Sequence, residues 1–492
     1  MAKTIFKSSD KSNFILNMTE EQYAKLASYG LLATCFTTSA AAAIPEFTDS
    51  VTYTVAATGL AVSGVLCLIL AMISLVKKYV GGRLILPVAA FALMVGWGAI
   101  SLAKSYDTNV GFYGFPQRGE GLLALIFYFS FFVTAVTIRR DKGFSTLLGG
   151  IIGVGLLNAV WAMIQIFTGK LLFYSYTDIS PNVLAVTPAG LSQSPIFLAM
   201  VLSLSLTAAV TVSASSDSRK KRIITALSAC LFAFVMVFTR TLVGVCGAAI
   251  GVIAGFAAVF MMKKPKIRLL WVLAVLLTAV LGIVIAGTVK KGDDASGYKL
   301  YDGYILWSDD AFQRASASGV YDPRALEIDD TYDVYTYLND KAINIMKKDR
   351  LFGTGPEQLV YPQIYTRGSF PETADVTDYA MANSGTFDKV YNEYIYTAAT
   401  RGIPSLLLML FVLFISLKSS WRKFAGSRDG INTAFLLLTL CGALIFLIGC
   451  SNITFSPIYW ACVGAACAGK ELPKKKVKEK APEPEEDEDS KE

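Results

Sequence analysis

The chain carries long apolar runs one after another, and these leave it few ways to fold. Twelve are long enough, or nearly so, to cross a bilayer, which takes about 17–25 residues each. They lie at 24–43, 53–76, 84–104, 121–138, 144–168, 195–214, 222–239, 241–262, 268–288, 403–420, 432–449 and 453–469. In hydrocarbon every backbone N–H and C=O must pair within its own segment, so such runs are expected to be helices. The expected fold is therefore an all-α polytopic membrane protein with about 12 transmembrane helices and one large extracytoplasmic loop between helices 9 and 10. Charged residues make up 17% of the chain, against about 25% in a soluble domain.

Lysines and arginines in the short loops set the orientation. One set of alternate loops holds 18 of them, from Lys77, Lys78 and Arg83 through Arg219–Arg222 and Lys263–Arg268 to Arg428. The opposite set holds only Lys104, Arg118, Lys170 and Arg240. The rich side reads as cytoplasmic, which puts both termini inside and the insert 289–390 outside. The organisation expected is a cytoplasmic N-terminus at 1–23, helices 1–9 over 24–288, a loop domain at 289–402, helices 10–12 over 403–469 and a disordered cytoplasmic tail at 470–492. The first run follows a polar stretch of roughly two dozen residues, so no cleavable signal peptide is expected. The insert has 17 acidic and 11 basic residues, whereas the whole chain is +7. The positive excess thus sits on the cytoplasmic side, where it suits anionic lipid and gives no argument for nucleic acid.

Missing residues narrow the chemistry. There is no histidine, which removes His-ligated zinc and any Ser-His or Cys-His nucleophile pair. All eight cysteines fall in or beside apolar runs and none in the insert, so no disulfide framework is expected there. No Walker-type loop occurs. Neither a cofactor nor a metal is expected.

Several segments could carry chemistry. Arg240 stands between two apolar runs with almost no loop. A cation there either snorkels to headgroups or grips phosphate with its planar fork. Arg118-Gly119-Glu120-Gly121 opens the fourth run; it either starts a helix with an acid near the N-terminus or adds a second cation near Arg240. Gln193-Ser194-Pro195 reads as an N-cap and first helical residue. In the insert, Leu338–Met346 is amphipathic and runs into Lys347-Lys348-Asp349-Arg350, then Gly353-Thr354-Gly355-Pro356, a tight turn. Ten tyrosines there (298, 301, 304, 321, 332, 335, 337, 361, 365 and 379) suit sugar rings, ordinary packing or the membrane interface. Were 388–401 helical, Asp388, Tyr391, Asn392 and Ile395 would share a face, and Gly402 and Pro404 would kink the chain as it enters the membrane.

Taken in order, these motifs resemble the O-antigen ligase and polymerase superfamily of bacterial membrane glycosyltransferases. The likeness rests on about twelve spans, a large outside loop before the last few, and the Gly-x-Gly-Pro turn after Lys-Lys-Asp-Arg. It also rests on Asp388-Lys-x-x-Asn392-Glu393-Tyr394 leading into Arg401-Gly-Ile-Pro. Arg118-Gly-Glu-Gly, Gln193-Ser-Pro and Arg240 fall where related patterns occur. The resemblance covers most of residues 110–450. It implies transfer of a glycan from a polyprenyl-diphosphate carrier to an acceptor hydroxyl, outside the cytoplasmic membrane of a bacterium, by a surface-polysaccharide ligase or polymerase. It further implies Arg240, with Arg118 and Arg401, and Arg314 or Arg324 from the insert, on the diphosphate. Tyr391, Asn392, Glu393 and Asp388 would serve the acceptor.

One departure stands out. The family commonly has histidine-asparagine where this chain has Tyr391-Asn392, and that histidine is taken as the base. Tyrosine, with an ordinary pKa near 10, is a poor base at neutral pH. Either Glu393 or Asp388 takes the proton, or Tyr391 only positions the acceptor. The partners expected are the lipid-linked donor, a glycan, lipid or other hydroxyl acceptor, and membrane lipid. The competing reading is a transporter or flippase for a lipid-linked or anionic solute. Against it stand the absence of an evident two-half repeat and a long loop that follows the ninth span rather than the sixth.

Overall fold

A computed structural model describes residues 18–42, 52–115, 118–138, 141–168, 188–192, 194–288, 331–362 and 389–468. Arg314, Arg324, Asp388, Gln193, six of the insert's tyrosines and the tail 470–492 lie outside the described residues.

Every described element is helical. The helices are α1 (Glu20–Ala42), α2 (Thr52–Val76), α3 (Ile85–Leu102), α4 (Thr108–Tyr113), α5 (Leu122–Val136), α6 (Asp141–Thr168) and α7 (Pro195–Ser215). They continue with α8 (Arg219–Phe238), α9 (Leu242–Met261), α10 (Leu269–Thr288), α11 (Thr331–Lys348), α12 (Glu393–Ser427), α13 (Gly430–Ile445) and α14 (Ser456–Ala468). Among the described residues eight helices are long and apolar enough to cross a bilayer, and α5, α13 and α14 are apolar but shorter. Each of the twelve runs read from the sequence falls on a helix. The chain is an all-α polytopic membrane protein.

Local chemistry sets several helix starts. The Ser194 hydroxyl accepts from the Ile196 N–H with Pro195 in the first turn, as the sequence predicts. Thr241 accepts from the Gly244 N–H at the head of α9, 3.0 Å away. These side chains satisfy donors that the first helical turn leaves unpaired.

Helix α7 is the axis of the bundle. Of its apolar stretch 94% is buried, against 28% for α10 at the periphery. A helix apolar all round belongs inside, and α6, α8, α9 and α13 enclose this one. Several of its hydroxyls bond backward along the helix or to a neighbour: Ser203 to the Ala199 carbonyl at 2.7 Å and Ser205 to the Ile151 carbonyl at 2.8 Å. Helix α9 lays Gly247, Gly251 and Gly255 against it. A methyl group at Gly247 would stand 2.1 Å from the Ser203 hydroxyl, and one at Gly251 2.4 Å from Leu206. In lipid, where apolar surface alone brings no helices together, close backbone approach of this kind supplies the packing.

Short links make α7 and α8 antiparallel, so the 239–241 turn returns to the end of the bundle where α7 begins. At that end Asn452 lies 3.4 Å from the Met200 sulfur. At the opposite end, Asp217 meets Arg268 at 3.3 Å and Lys264 at 3.6 Å.

Candidate active site

The site is built around a break in one helix. Helix α12 starts at Glu393, not at 388: Asn392 has an extended backbone, and its Oδ1 accepts from the Tyr394 and Ile395 N–H groups at 3.1 and 3.2 Å. Tyr391 and Asn392 therefore stand before the helix and share no helical face with Ile395, because the Asn392 side chain stops the helix from extending backward; Asp388, expected on that face, lies outside the described residues. Asn392→Ala should cost about 1 kcal/mol of stability and Asn392→Asp should keep it, since either oxygen caps equally well. SDS-induced unfolding in mixed micelles measures both. Equal loss in the two variants would show that the asparagine does more than cap.

Ten residues into α12 the helix breaks at Gly402, with φ 79° and ψ 165°. That conformation is essentially open only to glycine. Pro404 then sits in the first turn of the continuing helix, where its missing N–H costs nothing. The break frees backbone groups, and the Gly-x-Gly-Pro turn of the insert collects them. Thr354 N donates to the Ala399 carbonyl at 3.0 Å, Gly355 N to the Thr400 carbonyl at 2.8 Å, and Ile403 N to the Arg350 carbonyl at 2.8 Å. Ser101 of α3 donates to the Phe352 and Thr400 carbonyls at 2.5 and 3.1 Å. Trp97 stacks on Phe352, and Tyr361 stacks on Tyr106. Gln358 pairs with both backbone groups of Asp107 at 3.0 Å. The end of the insert is thus clamped onto α3 and the kink.

This clamp brings three distant carboxylates together. Lys389 is 1% exposed in its side chain and lies 2.5 Å from Glu120 Oε2 and 2.9 Å from Glu357 Oε1. Its ammonium also sits 4.5 Å over the Tyr396 ring. Burial works against the Lys389 charge, but Glu120 and then Glu357 outweigh it and hold the pKa well above the ordinary lysine value. Tyr128 and Ser451 each donate to Glu120 Oε1 at 2.8 Å. Tyr396 donates to Glu357 Oε1 at 2.5 Å. Glu393 is held separately. Its Oε1 accepts from Thr397 at 3.1 Å and Arg401 at 3.2 Å, and its Oε2 from the Ser451 N–H at 2.8 Å. Its own N–H donates to the Phe446 and Gly449 carbonyls.

Glu357 is the exception. Its Oε2 is buried with no hydrogen-bond partner among the described residues. Its backbone φ is +58°, a left-handed value that is uncommon outside glycine, asparagine and aspartate. A strained residue with a half-satisfied buried carboxylate costs a few kcal/mol by order of magnitude. Glu357, Glu120, Glu393, Lys389, Arg401 and Tyr396 all line one cavity of about 30 Å³, together with Met94, Leu125, Met409 and Trp460. It has space for about two waters.

The sequence-derived site residues divide accordingly. Glu393 and Arg401 meet in the cavity wall. Arg118 is half-buried beside the cluster, within electrostatic range of Cys450. Tyr391 is 1% exposed and packs in the core. Arg240 is 5% exposed, has φ +51°, and donates from Nη2 to the Ala286 carbonyl at the end of α10, 2.6 Å away. It is not among the cavity-lining residues. Sequence reasoning passed over Lys389 and Glu357 and gave Glu120 only a helix-start role. The signal was there, since Glu120 and Lys389 are charges inside motifs already singled out and Glu357 directly follows the Gly-x-Gly-Pro turn.

Residues 226–410, from α8 into α12, match the family model described as O-Antigen ligase. No curated protein matches the chain.

Proposed function

The chain belongs to the O-antigen ligase/polymerase superfamily, and from that premise we propose that it moves a glycan from a polyprenyl-diphosphate carrier to an acceptor hydroxyl on the outer face of a bacterial cytoplasmic membrane. Membership implies glycan transfer of the ligase or polymerase type. The observation that carries the finer reading is the meeting of a buried carboxylate–lysine cluster with the Glu393–Arg401 pair around one cavity at a single end of the bundle. The residues that form it come from the same Arg-Gly-Glu-Gly, Gly-x-Gly-Pro and Asp-Lys-x-x-Asn-Glu-Tyr segments.

In this reaction the leaving group is a diphosphate, and the charge it gains needs cations already in place. Arg240, Arg118 and Arg401 supply them, with Arg314 or Arg324 added from the insert, and no metal is required. Arg240 stands in the turn at the same end of the bundle, and its guanidinium, one amino group of which donates to the Ala286 carbonyl, is a planar fork suited to phosphate. Tyr391, Asn392 and Glu393, with Asp388, shape the acceptor side. The apolar bundle receives the lipid tail.

The test is purified protein reconstituted in lipid with a polyprenyl-diphosphate oligosaccharide and a sugar acceptor, followed for free polyprenyl diphosphate. Wild type should release it. Arg240→Ala should lower the rate about 100-fold or more while its unfolding midpoint stays near wild type. Passage of the intact lipid across the bilayer without release would replace this reading with a transporter.

A further inference from the structure

We propose that Glu357 is the base that takes the proton from the acceptor hydroxyl. This inference rests on the transfer reading above. With no histidine in the chain, the proton acceptor must be sought among other groups, and three carboxylates line the cavity. Two are fully engaged. Glu120 accepts from Tyr128 and Ser451 on one oxygen and from Lys389 on the other. Glu393 accepts from Thr397 and Arg401 on one oxygen and from the Ser451 N–H on the other.

Glu357 differs. Its Oε1 is fixed by Lys389 and Tyr396, while its Oε2 has no hydrogen-bond partner among the described residues. A buried carboxylate oxygen left open calls for an explanation, and a missing donor from the substrate is one. The backbone agrees: the chain holds Glu357 at φ +58°, and strain of this kind persists where the surroundings impose it and gathers at functional sites. The surroundings here are the clamp of the insert onto the α12 break. Size agrees too. A cavity of about 30 Å³ beside Glu357 has room for a hydroxyl group, which takes about the space of one water.

The step balances without another reactant. The acceptor O–H gives its proton to Glu357 Oε2. The acceptor oxygen forms a bond to the anomeric carbon, and the bond from that carbon to the diphosphate oxygen breaks. Its electron pair leaves on the polyprenyl diphosphate, and Glu357 later returns the proton to solvent.

Two variants test this in the reconstituted system. Glu357→Gln keeps the shape but cannot take a proton. It should lower kcat for acceptor-dependent release about 10²–10⁴-fold and leave KM for the donor unchanged, a split that a purely structural role would not give. Glu357→Asp keeps the charge and tolerates the left-handed backbone, but withdraws the oxygen by about 1.5 Å. It should lose at least about tenfold in kcat, again at constant donor KM. Wild-type kcat in Glu357→Gln, or a change confined to KM, overturns the proposal. If the glutamine variant does not assemble, the aspartate variant decides, and wild-type kcat there overturns it equally. Absence of release by the wild-type protein itself would instead be the failure of the transfer reading, and this inference would fall with it.

Discussion

Lys389→Met should destabilise the protein by about 3–5 kcal/mol, because it leaves two buried carboxylates facing each other with no cation between them. Glu120 and Glu357 are 3% and 2% exposed in their side chains, so bulk water does not reach them, and the roughly two waters the cavity admits carry no charge to replace the lysine's. Methionine fills nearly the same space, which assigns the loss to charge rather than to a cavity. SDS-induced unfolding in mixed micelles measures it. A triple variant that adds Glu120→Gln and Glu357→Gln should regain most of the loss, since a neutral cluster has no charge to strand. A single variant within about 1 kcal/mol of wild type would mean that the cluster does not hold this end of the bundle together. The pH dependence has a definite sign. The folded pKa of Lys389 is raised, so its contribution is fully present below the ordinary lysine value near 10.4 and fades as pH rises through the higher folded value. Stability owed to Lys389 should therefore be flat from about pH 6 to 9.

Gly402→Val carries the second large effect. A side-chain carbon there would stand 2.0 Å from the Leu351 carbonyl oxygen, and a β-branched residue cannot adopt φ 79° and ψ 165° without strain of about 1–3 kcal/mol. The backbone must either straighten or push the insert away. Both outcomes lose the bonds from Thr354, Gly355 and Ile403 across the break. Each such bond contributes about 0.5–1.5 kcal/mol. The total expected is at least about 3 kcal/mol, with transfer lost because Glu357 and its turn no longer meet Lys389. Limited proteolysis within 349–362 reports the release directly. Wild-type protection together with wild-type turnover would show that the clamp is dispensable.

Much of this protein is legible from its residues in order. Twelve apolar runs give helices because hydrocarbon leaves the backbone no other partner. Ser194-Pro195 opens α7 as written, and Gly402 marks the break in α12. The amphipathic stretch around Leu338–Met346 is a helix, although it runs longer, from Thr331 to Lys348. The misplaced start of α12 has a local cause. Asn392 could equally extend a helix face or cap its end, and only the backbone at that residue decides.

The sequence by itself determined which segments form long apolar helices, where several helices begin, and which motifs carry polar groups at the edge of the apolar region. Those are properties of neighbours in the chain: length, periodicity and capping act within a few residues. Tertiary structure alone decided that Lys389 meets Glu120 across 269 residues, that Glu393 is saturated while Glu357 is not, and that α7 is central and α10 peripheral. The physical reason is that apolar surface does not discriminate between partners in lipid. Which helix ends come together is settled by close packing and by the pairing of buried charges, and both depend on residues far apart in the chain.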